Sequence, residues 1–309
     1  MKNMRLPLII AWGVAIIGIF FGSFFDLQIS SAIASADNNF ALTVSAIGPT
    51  IGFAAVACMG GGFVALIVKG QYHIALKILF GVLAACCLGV AIYYPAGEYF
   101  GINGFDGAAP EWVGYLIVII PECLAMVGGF FLFKDFQNKQ LWIVFCIVIV
   151  LLLVALLGFI PRLKDFVHRP RYRLLAAYPG STDIYFHNWW QPCSNYKDLI
   201  STYNLPKDNF KSYPSGHTAE ASILLVAFTF LPLANKKFEK YQLPAFLVGC
   251  GITLLVAFAR IMAAAHFLSD VSTGATVVIL LTFIANEVII HIKALHVIER
   301  EEKPAEEAK

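Results

Sequence analysis

Charge is scarce in this chain. Only 14% of its 309 residues are Asp, Glu, Lys or Arg, against about 25% in a soluble domain. The 22 Lys and Arg nearly cancel the 20 Asp and Glu. A formal charge of +2, thinly spread, excludes a nucleic-acid partner, which needs a concentrated basic face. Paired cysteine spacings are missing as well. The seven cysteines (58, 86, 87, 123, 146, 193, 250) lie mostly inside apolar runs and form no CxxC, which excludes a disulfide framework and a structural zinc site. No segment repeats at a fixed period, so a solenoid is excluded too.

What the chain has is apolar length: 59% of it is hydrophobic and its mean hydropathy is +0.74. Eight stretches, residues 7–25, 43–68, 74–94, 112–134, 141–160, 216–233, 243–263 and 270–292, reach the roughly 20 apolar residues that cross a bilayer as a helix. Unbroken runs of this kind exclude the alternating pattern of barrel strands. The chain therefore reads as all-α, a polytopic transmembrane helical bundle of about eight spans. Residues 1–160 form an N-terminal membrane region with five spans, 161–292 a region with three, and 293–309 a charged cytoplasmic tail. Ala34-Ser35-Ala36 imitates a signal-cleavage site, but it stands well past the first apolar run, so that span is read as a retained anchor.

Short basic connections stay in the cytoplasm. Lys2 and Arg5, Lys69 and Lys77, Lys134 and Lys139, Lys236, Lys237 and Lys240, and Lys293 to Lys309 mark one side. The first and third connections carry only acids, Asp26, Asp37, Glu98, Asp106 and Glu111. This predicts a multi-pass protein of the cell membrane with both termini cytoplasmic. The loop from Pro161 to Pro214 breaks the pattern, with Arg162, Lys164, Arg169, Arg171, Arg173, Lys197, Lys207 and Lys211 on the outer side. Long loops cross regardless of charge. Eight cations there fit an anion to be bound, or a solvated loop resting on acidic headgroups.

Three reactive clusters map to that outer face. Arg162 and Arg169 are seven apart, two helical turns, before Pro170, and planar guanidinium forks suit phosphate oxygens. Ser215 stands as an N-cap before a long apolar run in Tyr213-Pro-Ser-Gly-His217. Free amides at such a helix start, with Gly216 allowing close approach, make a phosphate seat; an ordinary helix start has the same appearance. His266 and Asp270, four apart on a helical turn after Arg260, let a carboxylate hold one imidazole nitrogen as N–H and leave the other as a lone pair. Ionisable groups at membrane depth are functional candidates, Glu122, Glu220 and Glu287 among them. Glu220 suits support of the site, and Glu122 and Glu287 suit hydrogen-bonded packing.

Together the clusters resemble the type 2 phosphatidic acid phosphatase superfamily of membrane lipid phosphatases, which shares its active site with vanadium haloperoxidases. That family's signature is Lys-x6-Arg-Pro, then Pro-Ser-Gly-His, then Ser-Arg-x5-His-x3-Asp. Here it reads Arg162-x6-Arg169-Pro170, Pro214-Ser215-Gly216-His217 and Ala259-Arg260-x5-His266-x3-Asp270. Arg162 replaces a Lys and Ala259 a Ser, and two spans are added before the first motif.

The resemblance implies a lipid phosphatase core at residues 161–292 with an extracytoplasmic catalytic loop. It implies His266 as nucleophile forming a phosphohistidine, Asp270 as its orienting carboxylate and His217 as general acid. Arg162, Arg169, Ser215, Gly216 and Arg260 would hold the phosphate. No cofactor and no metal are implied. The partners are a membrane lipid phosphate, of phosphatidate, phosphatidylglycerol phosphate or undecaprenyl diphosphate type, and the bilayer itself; no oligomeric state follows. The aromatic stretch from Tyr172 to Tyr213 reads as an interfacial lid or a simple membrane anchor, and His168 and His187 within it as structural.

Transfer of the phosphoryl group to a second lipid uses the same intermediate and would leave label in lipid. A lipid transporter is a further alternative, predicting charges spread through the bundle interior. The topology has its own check: reporter fusions after Met1 and before Lys309 are both expected to report a cytosolic location, and an external signal at either end would overturn the assignment.

Overall fold

The computed structural model describes residues 4–101, 111–137 and 140–291. Among the described residues every regular element is helical. Eight helical stretches are long and apolar enough to cross a membrane. The first four are α1 (Arg5–Ile33), α2 (Asn39–Lys69), α3 (Ile74–Gly101) and α4 (Glu111–Phe133). The fifth begins as α5 (Leu141–Leu153), widens through a π-helical stretch, Val154–Phe159, and finishes as α6 (Ile160–Val167). A loop with two short helices follows, α7 (Tyr172–Ala177) and α8 (Tyr196–Tyr203). The sixth span is α9 (Gly216–Ala221) and α10 (Ile223–Phe230), and the last two are α11 (Glu239–Met262) and α12 (Leu268–His291). The tail from Lys293, Asp106 and Lys139 lie outside the described residues.

The largest departure from the sequence reading is in α1, which continues to Ile33 instead of stopping near Phe25. Asp26 looks like the end of a span because a lone carboxylate is costly in hydrocarbon. It is instead buried and hydrogen-bonded against α12, along which α1 lies. The same helix pair is tied at its other end by Arg5, whose Nε and Nη2 donate to Glu287 at 2.8 and 2.7 Å. Glu287 thus has an ion pair where a hydrogen-bonded packing role was expected. Glu122, given the same role, is buried in α4 with neither oxygen hydrogen-bonded among the described residues.

Small residues bring α2 close to its neighbours. A Cβ on Gly61 would run into the backbone of Met126 in α4, and one on Gly129 into the carbonyl of Cys58. Without a hydrophobic drive between helices in lipid, such backbone approach is a main source of cohesion. One apolar core then joins Phe53, Phe63 and Phe80 of α2 and α3 to Phe145 of α5 and Phe230 of α10. The loop between the fifth and sixth spans has a core of its own, Leu174, Ile184, Cys193, Leu199 and Phe210. It is a compact cap.

Gly129→Val should overpack the α2–α4 crossing, at the upper end of the ~1–3 kcal/mol usual for such insertions. Gly128→Ala, whose Cβ would meet nothing within 4 Å, should be neutral. Thermal unfolding in detergent separates the two, and equal midpoints would show that the close crossing contributes little.

Candidate active site

The three clusters meet at one end of the bundle, and each element brings its residue there for a local reason. The sixth span opens on Ser215, whose Oγ accepts from the amide of Thr218 at 3.4 Å as an N-cap. The amides of Gly216 and His217 then stand in the first turn, where an α-helix offers them no carbonyl. This end is locked to α12: the Ser215 amide donates to the carbonyl of Asp270 at 2.9 Å. Gly274 permits the approach, since any Cβ there would strike the Ser215 carbonyl.

His266 is not on a helix. The chain leaves α11 after Met262 and reverses through Ala264, which takes the left-handed conformation at φ 55°. The amides of Ala265 and His266 turn back to the carbonyl of Arg260, both at 3.2 Å. The imidazole is buried, with Nδ1 2.6 Å from the backbone carbonyl of Ser212. A carbonyl can only accept, so Nδ1 carries the proton and Nε2 the lone pair. Asp270 Oδ2 stands further off, 3.8 Å from Nδ1. It accepts from the Ser212 hydroxyl and, at 2.9 Å, from the amide of Phe267. The hydrogen bond that the ring was expected to donate to Asp270 goes instead to the Ser212 carbonyl, and the carboxylate acts on the ring through its charge and through Ser212. Burial, against the pull of Asp270 and helped by Arg260 and Arg171, pushes His266 down to about 3.

The first cluster is built differently from its expected form. α6 ends at Val167, and His168 turns left-handed at φ 48°, so Arg162 and Arg169 do not share a helical face. Arg162 is exposed. Lys164, two residues on and therefore about 200° around the helix, is the one turned inward: its Nζ lies 3.7 Å from where a Cβ on Gly216 would sit. Arg169 is wholly buried, and all three of its nitrogens are engaged. Nε donates to the carbonyl of His187 at 2.7 Å, Nη1 to Asp270 Oδ1 at 2.6 Å and Ser269 Oγ at 2.9 Å, and Nη2 to Asp26 Oδ2 at 2.9 Å. Four of the five N–H groups of Arg169 are therefore taken, in a guanidinium with no access to solvent.

Arg171 is less fully engaged. Its Nε and Nη2 hold Asp208 through the carbonyl at 3.0 Å and Oδ1 at 2.9 Å, while Nη1 is buried with no hydrogen-bond partner among the described residues. Arg173 takes the other oxygen of Asp208 at 2.8 Å. Burial alone would raise Asp208, but Arg171, Arg173 and Lys164 outweigh it and hold the carboxyl below its usual range. Arg260 is buried at the end of α11, and the charges of Arg260, Lys164 and Arg171 all bear on His217.

Of the expected set, His266, His217, Asp270, Ser215, Gly216 and Arg260 come together, Arg162 does not, and Arg169 is present as a brace. Sequence reasoning missed Lys164, Arg171, Ser212, Asp208 and Asp26. One signal was available, since Lys164-x6-Arg171 has the same spacing as Arg162-x6-Arg169 and starts on a lysine. Pro170 drew the choice to the other register. His168 and His187 have structural surroundings, stacked on Tyr196 at 3.6 Å and Tyr185 at 4.6 Å between ring centroids. Among the described residues no group of three or more His, Cys, Asp or Glu is arranged to hold a metal ion.

The family model of the PAP2 superfamily matches residues 124–290, a stretch that holds all of these residues except Asp26. The chain belongs to the PAP2 superfamily. Membership supports phosphatase activity on phosphate esters, which in this family are often lipids. No curated protein and no solved structure is similar enough to count as a match. Helices α1 to α3 lie ahead of the PAP2 match, yet α1 supplies Asp26 and α2 lays Gly52 against the carbonyl of Glu220.

A folded-state value near 3 against the ordinary 6.5 means that folding favours neutral His266. That contribution is complete above pH 6.5 and is lost as the pH falls toward 3. In ¹⁵N-histidine spectra of the protein in detergent, assigned by the signal lost in His266→Gln, the ring should not titrate between pH 8 and about 5. A midpoint near 6.5 would refute this.

Proposed function

We propose that the protein hydrolyses a lipid phosphate monoester or diphosphate by way of a phosphohistidine on His266, at the extracytoplasmic face of the membrane. The observation that carries the mechanism is the 2.6 Å contact between His266 Nδ1 and the Ser212 carbonyl. It leaves Nε2 as an unprotonated nucleophile among Arg171 and Arg260, whose charges act on the ring. The Nε2 lone pair attacks phosphorus, and the bond from phosphorus to the lipid oxygen breaks. Once the phosphate dianion is bound and offsets the neighbouring cations, His217 takes up a proton from solvent and gives it to that departing oxygen. The phosphoimidazolium keeps its Nδ1 proton on Ser212, and Asp270 stabilises the positive ring from 3.8 Å. His217, now neutral, takes a proton from water, whose oxygen attacks phosphorus. The bond from nitrogen to phosphorus breaks, and inorganic phosphate leaves.

Lys164, Arg171 and Arg260, with the amides of Gly216 and His217, neutralise the phosphoryl oxygens in the transition state. In this scheme Lys164 and Arg171 take the roles first expected of Arg162 and Arg169. Lys164 restores the lysine with which the family signature begins, and Tyr172 follows Arg171 where the signature has proline. Three cations supply the charge that a divalent metal would otherwise provide. A substrate rooted in the bilayer accounts for a centre that sits at the end of a membrane bundle under an aromatic cap.

Purified protein in detergent with EDTA should release inorganic phosphate from at least one of phosphatidate, phosphatidylglycerol phosphate and undecaprenyl diphosphate. His266→Ala should lower turnover by about 10³-fold or more. Lys164→Ala or Arg171→Ala should lower kcat/KM by about 10²-fold, the usual loss of one oxyanion donor. Arg162→Ala should leave it nearly unchanged. Strict dependence on added divalent metal, or label passing to a second lipid without free phosphate, would overturn the mechanism. Equal losses in the Arg162 and Lys164 variants would overturn the assignment of the cations.

A further inference from the structure

We infer that Asp26, on the first membrane helix and outside the family match, is a positioning residue for this centre, acting through Arg169 on Asp270; the inference rests on the phosphatase reading above. Asp26 is 1% exposed, on a helix whose neighbouring Phe24, Phe25 and Leu27 face outward. Both its oxygens are committed. Oδ1 accepts the amide of Ser269 at 2.9 Å, and Oδ2 accepts Arg169 Nη2 at 2.9 Å together with the Ser269 hydroxyl. The helix pair is shaped for this contact, because a Cβ on Gly22, one turn earlier, would lie 2.6 Å from the amide nitrogen of Ser269 and 2.9 Å from its Cα.

From Arg169 the chain of contacts continues to the reacting ring. Its Nη1 holds Asp270 Oδ1 at 2.6 Å and Ser269 Oγ at 2.9 Å, and Nε is held by the His187 carbonyl. Its guanidinium lies over Phe267, 4.2 Å from the centroid, next in sequence to His266. Asp270 spends its other oxygen on Ser212, the residue whose carbonyl binds His266 Nδ1.

Two effects follow. Asp26 fixes the far end of the guanidinium and so the angle at which Arg169 grips Asp270. It also supplies the second negative charge. With it the trio of Asp26, Arg169 and Asp270 carries a net charge of −1, which favours the imidazolium that develops on His266. Without it the trio is neutral, and Arg169 spends its whole charge against Asp270. Neither effect touches Lys164, Arg171 or the Gly216 amide, so phosphate affinity should be spared.

The test uses the full chain in detergent and three variants: Asp26→Asn, which removes charge while keeping an oxygen for Ser269, Asp26→Glu, and Glu287→Gln. The last breaks the Arg5 tie between the same two helices, about 30 Å along α1 at 1.5 Å per residue. Turnover is measured on the lipid phosphate that wild type hydrolyses fastest, binding by the inhibition constant of inorganic phosphate, and folding by thermal midpoint.

Asp26→Asn should lower kcat by about 10- to 100-fold, as loss of a supporting carboxylate does elsewhere. KM and the phosphate inhibition constant should stay close to wild type. Asp26→Glu should recover part of the loss, and Glu287→Gln should keep wild-type kcat. Wild-type kcat in Asp26→Asn would overturn the inference, as would phosphate affinity falling in step with kcat. It would fall equally if both Asp26 variants failed to fold while Glu287→Gln folded, because Asp26 would then be structural only. A wild type that releases phosphate from no lipid instead strikes the phosphatase reading and takes this inference with it.

Discussion

A guanidinium with no access to solvent, held between two carboxylates that have none either, is the contact on which the rest depends. Arg169, Asp26 and Asp270 come from the exit of the fifth span, from α1 and from the start of α12. Desolvating three charges costs several kcal/mol each, and only close, fully hydrogen-bonded pairing repays it. Every oxygen and nitrogen of the trio has a partner, with Ser269, Ser212 and the Phe267 amide filling the remaining places. Removing Arg169 would leave two buried carboxylates uncompensated, a loss of about 3–5 kcal/mol or more. The trio therefore joins helices that have little hydrophobic reason to associate in lipid, and it sets the position of the carboxylate beside His266.

Around that anchor the cations divide into those already spent and those held in readiness. Arg169 is spent. Arg171 is half spent, two of its nitrogens gripping Asp208 and its third buried without a partner among the described residues. An arginine clamped on one side and bare on the other is pre-organised for an oxyanion, because its orientation is fixed before the ligand arrives. Asp208 does the clamping for Arg173 as well. The loop that carries Asp208 has its own core, and its backbone is knitted to the first motif: the amide of Arg171 bonds Asn209, and that of Ser212 bonds Arg169. The cap thus sets the angles of Arg171 and Ser212.

The eight spans were legible because hydropathy over about 20 residues is a local property, and their ends missed mainly where tertiary pairing rescued a charge. Asp26 is the example: by composition it closes the first span, and only the approach of Arg169 and Ser269 lets the helix carry it inside. The Pro-Ser-Gly-His and Arg-x5-His-x3-Asp motifs were legible too, because their spacing holds within a single turn or loop. The first motif was not. Two registers with identical spacing begin at Arg162 and Lys164, and the backbone turn at His168 decides which residues face the phosphate seat. The acceptor to which His266 donates was equally hidden, since Ser212 is 54 residues away.

By itself the sequence determined what is additive along the chain: a helical membrane bundle, the family, and the spacing of the motifs that hold His217, His266 and Asp270. Only the tertiary structure decided which arginine is tied between two carboxylates and which keeps one nitrogen open among the described residues. Both are the same residue type two positions apart, so nothing local separates them. The difference lies in what meets each of them in space, two carboxylates around Arg169 and one beside Arg171, and those meetings exist only once distant helices have packed.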